Sequence, residues 1–143
     1  WYTLFKIVSK FKKQVIQVVR LITKGKVVSY VQVALYVGVP RAARQVGWIL
    51  RGLGRETDVP WWRVVNNEGR ISIKHSRFNA QEQAQLLKQE GVEVDEDFNI
   101  DIEKHRLKPD KEFINKLELD PVYLASIADK ISYISPKTRN SVR

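Results

Sequence analysis

Apolar residues recur every three or four positions through the first part of the chain, which predicts an amphipathic helix from Thr3 to Thr23. Lysines and an arginine occupy the opposite side of this helix. Lys24-Gly25-Lys26 should end it, because glycine readily adopts the left-handed conformation that closes a helix. The predicted apolar side consists of Leu4, Ile7, Val8, Phe11, Val15, Val18, Val19 and Ile22.

Two shorter helices are predicted next. Ser29 is a suitable N-cap for a helix over Tyr30–Tyr36, which ends before Gly38-Val39-Pro40. A third helix begins near Pro40 and continues to Arg51. Two short helices joined by a tight, glycine-containing turn, the second opening with small and basic residues, are typical of a helix-turn-helix.

A tryptophan pair follows in the segment Val59-Pro60-Trp61-Trp62-Arg63-Val64-Val65. The proline favours a tight turn and the valines favour a buried strand. In an extended backbone the two rings would face opposite ways, so one would line a site, unless both only fill space. Asn66-Asn67-Glu68-Gly69 predicts a hairpin turn and Arg70–Lys74 the returning strand, which together would form a wing.

Two further helices are predicted in the rest of the chain. One would span Ala80–Glu90, capped by Asn79 and stopped by Gly91, and the other Pro121–Tyr133. Residues after Ser135 are expected to be disordered. The predicted fold is mostly α-helical with a small β wing: a winged-helix domain over residues 1–103, followed by a partly helical extension over residues 104–143.

The net charge of +9 is unevenly distributed. Eleven lysines and arginines and no acidic residue occur up to Arg55, whereas all sixteen acidic residues follow it. A compact basic region commonly binds a polyanion and releases its counterions. Nucleic acid is therefore the expected partner, and a basic surface kept for solubility is the alternative.

Composition excludes several kinds of chemistry. The chain has no cysteine and only two histidines, His75 and His105, so no thiol nucleophile, disulfide, cofactor or metal is expected. No apolar run reaches the roughly 18 residues that a membrane span needs. We expect a soluble, monomeric, intracellular protein of the cytoplasm or nucleoid, or of the nucleus in a eukaryote. Methionine is absent even at position 1, which indicates numbering from after a removed initiator or from within a longer chain.

The third helix favours close approach to a partner over the reading of base edges. Its first turn offers Ala42 and Ala43, where a major-groove reader would have Asn, Gln or several Arg. Arg44 is the side chain that reaches outward, either to a phosphate or into the duplex.

Four ordered motifs resemble the DNA-binding domain of the O6-alkylguanine-DNA alkyltransferases over about residues 11 to 94. They are Gly-x-Val-Val-Ser-Tyr-x-Gln-Val-Ala at 25–34, Ala-Ala-Arg-x-Val-Gly at 42–47, Pro-Trp-Trp-Arg-Val-Val at 60–65 and Leu-Leu-Lys-Gln-Glu-Gly-Val at 86–92. The transferases have Pro-Cys-His-Arg at the third motif, where the cysteine accepts the alkyl group. Trp61 stands at that cysteine position, a substitution that resembles the alkyltransferase-like proteins, which bind the same lesions without repairing them.

The resemblance assigns roles to individual residues. Tyr30 matches the tyrosine that crowds the 3′ phosphate of the target nucleotide and helps to rotate it outward. Arg44 matches the arginine that enters through the minor groove and fills the vacated place in the stack. Lys74 stands at the position that most nearly matches the family's basic residue that stacks over the flipped base.

The resemblance also implies that the proton relay of the transferases is lost. Arg63 matches a structural arginine and Glu90 matches the glutamate of the relay that activates the cysteine. Trp62 stands where the family usually has His, and Leu53 stands where the transferases have the relay Asn.

The function implied by the resemblance is binding of double-stranded DNA that contains O6-alkylguanine, with flipping of the lesion, no catalysis and transfer to nucleotide excision repair proteins. A sequence-reading winged helix of transcription-factor type is the alternative, and an enzyme with an unrecognised mechanism is a third class. The implied DNA-binding residues are Tyr30, Gln32, Ala42, Ala43, Arg44 and Arg51. The implied lesion pocket consists of Tyr30, Trp61, Trp62, Arg63 and Lys74.

Overall fold

The predicted helices form in the predicted order with different bounds, and two short helices that were not predicted lie between the last two of them. The computed structural model describes residues 2–53, 57–72 and 77–131. Its mostly helical architecture with a small sheet confirms the predicted fold class. Strands are β1 (Val28–Ser29) and β2 (Val64–Val65), and 3₁₀ turns lie at Trp61–Arg63 and Ala128–Lys130. Helices are α1 (Tyr2–Arg20), α2 (Tyr30–Val37), α3 (Ala43–Arg51), α4 (Arg77–Gln89), α5 (Ile102–His105), α6 (Lys111–Leu117) and α7 (Pro121–Ser126).

Burial of α1 is confined to its second half, where Val15, Val18 and Val19 enter the core. The apolar residues of its first half, Leu4, Phe5, Ile7 and Val8, keep between 56% and 64% of their surface exposed. The helix ends at Arg20, because the next two N–H groups bond three residues back, to the carbonyls of Val18 and Val19. The predicted cap at Gly25 is therefore wrong, and its left-handed φ of 85° serves a separate turn.

The helix-turn-helix is formed by α2 and α3, which pack on each other and on α1. Ser29 Oγ accepts a hydrogen bond from the Gln32 N–H at 3.1 Å, which confirms the predicted N-cap. Helix α3 begins at Ala43 rather than near Pro40. The Ala42 N–H bonds to the Val39 carbonyl at 3.0 Å and holds the intervening residues in a turn.

The small sheet differs from the predicted hairpin. Strand β2 pairs in parallel with β1, with Val64 opposite Val28 and Val65 opposite Ser29. The predicted turn forms, since the Gly69 N–H bonds to the Asn66 carbonyl at 3.0 Å. The chain after it bonds to residues 98–100 instead, through an isolated bridge of Arg70 with Asn99. The end of the predicted returning strand, residues 73–74, lies outside the described residues.

Helix α4 packs one face on a core that includes Val65 of β2, Val27 just before β1, and residues of the 98–100 segment. It begins at Arg77, so Asn79 lies inside the helix and the predicted cap at that residue is wrong. Gly91 follows the helix with a φ of 91°, and the Val92 N–H bonds back to Leu87, as in a helix-ending motif. The buried members of this core are Val27, Val65, Ile71, Ala80, Ala84, Leu87, Val92, Phe98 and Ile100.

The chain divides into two compact units, residues 1–107 and residues 108–143, four residues after the predicted boundary. The difference arises because residues 104–107 bond to the first unit: the Val27 N–H donates to the His105 carbonyl and the Leu107 N–H donates to the Val27 carbonyl, each at 2.9 Å.

The second unit begins with the two short helices α6 and α7, capped by Asp110 and Asp120. The helix predicted over Pro121–Tyr133 is split, because α7 ends at Ser126 and a 3₁₀ turn follows. Residues after Ser135 lie outside the described part of the chain. In the residues that are described, no helix is both long and apolar enough to cross a membrane.

Candidate nucleic-acid interface

The face of α3 opposite the core is basic and carries an exposed tryptophan. Val46 and Leu50 are buried and define the inward side of the helix. At about 100° per residue, Arg44, Trp48 and Arg51 fall together on the opposite side. Both arginines are exposed, and Trp48 keeps 56% of its surface exposed. Helix α3 therefore presents two cations and an indole in one direction.

Tyr30, the first residue of α2, lies against the middle of α3. A Cβ added to Gly47 would lie 3.8 Å from a ring carbon of Tyr30 and 3.9 Å from a guanidinium nitrogen of Arg51. Burial raises the pKa of the Tyr30 hydroxyl, and the positive charge of Arg51 partly offsets this. The phenol therefore stays neutral at physiological pH and can donate a hydrogen bond beside Arg51.

A second group of residues is organised around the carboxylate of Glu90, at the end of α4. Arg63 donates from Nη2 to Glu90 Oε2 at 2.7 Å and from Nε to Oε1 at 3.0 Å. Its Nη1 donates to the Ile22 carbonyl at 2.8 Å. The side chains of Glu90 and Arg63 are 8% and 14% exposed. Arg63 thus connects the 3₁₀ turn, the end of α4 and the segment after α1. These contacts give Arg63 a structural role.

Two more donors occupy the same carboxylate. The Gly25 N–H donates to Glu90 Oε1 at 3.1 Å, and the Trp62 Nε1–H donates to Oε2 at 2.8 Å. Burial raises the pKa of Glu90, but the hydrogen bonds from Arg63, Gly25 and Trp62 and the Arg63 charge lower it, so that the pKa lies below its ordinary value. Glu90 is therefore ionised at neutral pH, with donors on both oxygens.

The two tryptophans meet edge to face, with ring centroids 6.0 Å apart and planes at 83°. The predicted tight turn and buried strand both form, since the Arg63 N–H bonds to the Pro60 carbonyl at 3.2 Å in a 3₁₀ turn that leads into the buried β2. The two rings therefore do not lie on an extended backbone. Trp62 packs against the core and lies 5.6 Å from the Arg63 guanidinium carbon, within cation–π range. Trp62 is thus fixed on several sides and supports Trp61.

Gln83 is a site-supporting residue that the sequence prediction missed. Its side chain is buried, and Nε2 donates to the carbonyls of Trp62 at 3.0 Å and Val64 at 2.9 Å. These bonds hold the 3₁₀ turn and β2 against α4. A signal was available, since Gln83 lies between Ala80 and Leu87 on the apolar side of the predicted helix.

The ladder of β1 and β2 positions Tyr30 relative to the 3₁₀ turn Trp61–Arg63. Tyr30 directly follows β1, whereas the 3₁₀ turn Trp61–Arg63 directly precedes β2. Because the strands are parallel, the backbone of Tyr30 and the 3₁₀ turn lie at opposite ends of a ladder about 7 Å long, at about 3.3 Å per residue. The ladder therefore fixes how far the start of α2 lies from the 3₁₀ turn.

Comparison with known proteins identifies the family. Residues 10–92, more than half of the chain, match the family described as 6-O-methylguanine DNA methyltransferase, DNA binding domain. The chain belongs to this family.

Its relatives include proteins named for base flipping and for likeness to the alkyltransferases. A DNA base-flipping protein of Vibrio parahaemolyticus is 38% identical over 100 residues, which cover 70% of this chain and 98% of the relative. Alkyltransferase-like protein 1 of Schizosaccharomyces pombe is 44% identical over 85 residues, 59% of this chain and 79% of the relative. The crystal structure of S. pombe Atl1 in complex with damaged DNA containing O6-carboxymethylguanine is similar with a TM-score of 0.68 and 37% identity, and the match covers 71% of this chain and 97% of that chain.

Within this methyltransferase-type DNA-binding domain, the predicted DNA contacts differ in exposure. Arg44 and Arg51 are exposed, whereas Gln32 and Ala43 are partly buried. Ala42, directly before α3, is 6% exposed, and its contact with DNA stays a prediction.

The side chains of Trp61, Trp62 and Arg63, three of the predicted pocket residues, form one group. Tyr30 is the first residue of α2, directly after β1, and its place in the pocket stays a prediction. Lys74, the predicted stacking residue, lies outside the described residues.

Proposed function

We propose that this protein binds double-stranded DNA containing O6-alkylguanine, rotates the lesion out of the base stack and holds it unrepaired for nucleotide excision repair. The observation that carries the proposal is a basic α3 face and a rigidly supported tryptophan pair in a chain without cysteine. The relative named a DNA base-flipping protein and the Atl1 complex with O6-carboxymethylguanine DNA support it.

Arg44 and Tyr30 would drive the base out of the duplex. Extrusion costs a few kcal/mol of lost pairing and stacking, and less for a badly paired base such as O6-alkylguanine. Arg44, exposed on α3, would occupy the vacated place. Tyr30, packed beside Gly47, would press on the 3′ phosphate with a neutral hydroxyl near the positive charge of Arg51.

Trp61 would form the wall that receives the flipped base. An aromatic platform contributes about 1–3 kcal/mol per stacked base, and an indole also offers an apolar surface for the alkyl group. The wall is preorganised, because Trp62 supports Trp61 edge to face and is itself bonded to Glu90. Little conformational freedom would be lost on binding.

The same residues account for the proposed lack of transferase activity. Alkyl transfer needs a thiolate, and the chain has no cysteine. The Trp62 indole donates its only polar hydrogen to Glu90 and has no acceptor for a proton. The lesion would therefore stay intact in the complex, which acts as a monomeric, DNA-associated marker for repair proteins.

Affinity for a duplex with one O6-methylguanine, compared with the same unmodified duplex, tests the proposal. We expect tighter binding to the lesion duplex, a fluorescence increase from 2-aminopurine placed beside the lesion, and no alkyl group retained on the protein. Equal affinities that instead vary with the surrounding sequence would favour a sequence-reading protein.

Two substitutions test the assigned roles. Arg44→Ala and Tyr30→Ala are expected to weaken lesion binding without unfolding the domain. Lys88→Ala is the matched control, because Lys88 is an exposed cation on α4. If Arg44→Ala reduced affinity no more than Lys88→Ala, α3 would not be the DNA-binding helix.

A further inference from the structure

Trp48 is an exposed aromatic residue to which the proposed function assigns no role. Single exposed apolar residues are common on protein surfaces and need no explanation by themselves. Trp48 differs in its surroundings from the exposed apolar residues of α1. The exposed apolar residues of α1 lie on a helix that is predicted to be amphipathic, whereas Trp48 lies on the polar, outward face of the helix-turn-helix.

The position of Trp48 on α3 is set by helix geometry. Arg44 is four residues before it, about 6 Å along the axis, and Arg51 is three residues after it, about 4.5 Å along the axis. Both spacings place side chains on one face of a helix. Trp48 is therefore central on the surface defined by Arg44, Trp48 and Arg51, directed away from Val46 and Leu50 in the core.

We propose that Trp48 is a DNA-binding residue that packs its indole on the deoxyribose wall of the groove that Arg44 enters. The inference rests on the proposed function, since it requires α3 to face DNA. The two arginines would draw the helix towards phosphates, and the sugars between phosphates present apolar C–H surfaces that a flat indole can cover. The indole N–H can donate to a phosphate oxygen, but it has no acceptor with which to read a base.

This role predicts a contribution that salt changes little. Affinity from lysines and arginines falls with salt because cations on the protein displace counterions from DNA. The indole is uncharged and displaces none. Trp48 should therefore strengthen binding to damaged and undamaged duplexes alike and should set how closely α3 approaches the groove.

The test compares Trp48→Ala with Phe5→Ala, which removes an aromatic side chain of similar exposure from α1. Dissociation constants are measured over a salt series, for one duplex with O6-methylguanine and the same duplex without it. Trp48→Ala should weaken binding to both by about tenfold, as for the loss of one aromatic contact, with an unchanged salt slope. Trp48→Tyr should retain most of the affinity, and Phe5→Ala should bind like the parent.

Two further variants complete the design. Arg51→Gln should reduce the salt slope by about one, which separates the cation from the indole. Trp48→Gln provides a second removal of the ring if Trp48→Ala proves poorly soluble, and thermal unfolding checks that each variant is folded.

The outcomes separate the inference from the function on which it rests. If Trp48→Ala and Trp48→Gln bind both duplexes like the parent while Arg44→Ala is weakened, the role of Trp48 is wrong and the proposed function stands. Equal losses in Trp48→Ala and Phe5→Ala would also overturn it. If the parent does not prefer the lesion duplex, the proposed function is wrong, and a loss specific to Trp48→Ala would still assign Trp48 to the DNA surface.

Discussion

Glu90→Gln should destabilise the folded domain strongly, because Glu90 is the common acceptor for three donor residues from two separate parts of the chain. Arg63, Trp62 and the Gly25 N–H all bond to its two oxygens. Glutamine keeps one acceptor oxygen and adds an NH₂ group that opposes the Arg63 donors. The substitution also leaves the Arg63 charge without its counterion.

The magnitude follows from the burial of the pair. Removing one partner of a fully buried ion pair costs about 3–5 kcal/mol, because the remaining charge stays desolvated. Arg63 keeps 14% of its side-chain surface exposed, and its Nη1 still has the Ile22 carbonyl. We therefore expect Glu90→Gln to lower the free energy of unfolding by about 2–4 kcal/mol at pH 7.

Urea unfolding provides the assay, with Glu93→Gln as the control. Glu93 pairs with Lys104 at 2.7 Å, the same distance as Glu90 to Arg63, but with both side chains largely exposed. Exposed pairs contribute little, so Glu93→Gln should leave stability almost unchanged. Equal losses in the two variants would refute the argument from burial.

The stability lost in Glu90→Gln should depend on pH in a direction that follows from the pKa of Glu90. The pKa of Glu90 is lowered in the folded state, so its contribution is present above the unfolded-state pKa of about 4.3 and is lost as the pH falls through the folded-state pKa. The difference in stability between the parent and Glu90→Gln should therefore shrink between pH 7 and pH 3. A constant difference would show that Glu90 acts through packing instead of charge.

Three further predictions follow from the geometry. Gly69→Ala should lower the free energy of unfolding, measured with urea, by about 3 kcal/mol or more, because the new Cβ would lie 2.6 Å from the Ile100 carbonyl oxygen at a φ of 80°. Gly91→Ala is the control: Gly91 has a similar φ but open space around it, so the loss should be only about 1–2 kcal/mol. Equal losses in the two variants would contradict the predicted clash. Affinity for an undamaged duplex should fall with salt with a log–log slope of about −3 or steeper, and a flat dependence would exclude binding through the basic residues. Trp61→Cys should transfer no alkyl group at a useful rate, because Trp62 cannot accept the thiol proton, whereas Trp61→Cys combined with Trp62→His should transfer slowly. The measurement is the labelled alkyl group retained on the protein, and efficient transfer by the single variant would contradict the argument.

Local signals predicted the parts of the fold that local interactions decide. Ser29 caps α2 as its side chain predicts, and the turn at Asn66–Gly69 forms where two Asn and a Gly occur. The partner of the chain after that turn was mispredicted, because residues 98–100 lie about 30 positions away and carry no local sign of pairing. The parallel pairing of β1 with β2 is equally non-local, and two-residue strands show no period.

The short helices α5 and α6 were missed for a different reason. At four and seven residues they are too short for a periodic apolar pattern to be recognised. Their N-caps were nevertheless visible in the sequence, since Asp101 and Asp110 each accept backbone N–H bonds at the helix start. Capping residues were the more informative signal in this part of the chain.

The network around Glu90 has a structural role in the proposed lesion pocket. The resemblance to the transferases assigns Glu90 to a relay, yet the residues around it here form an immobile set of donors: Arg63 fixes the carboxylate from two directions, and the Trp62 N–H takes a place on Oε2. A proton relay needs groups that both donate and accept, and neither guanidinium nor indole can accept. What such a network can do is keep the 3₁₀ turn rigid, and with it the orientation of Trp61. Glu90 therefore acts as a structural anchor for the 3₁₀ turn that carries Trp61.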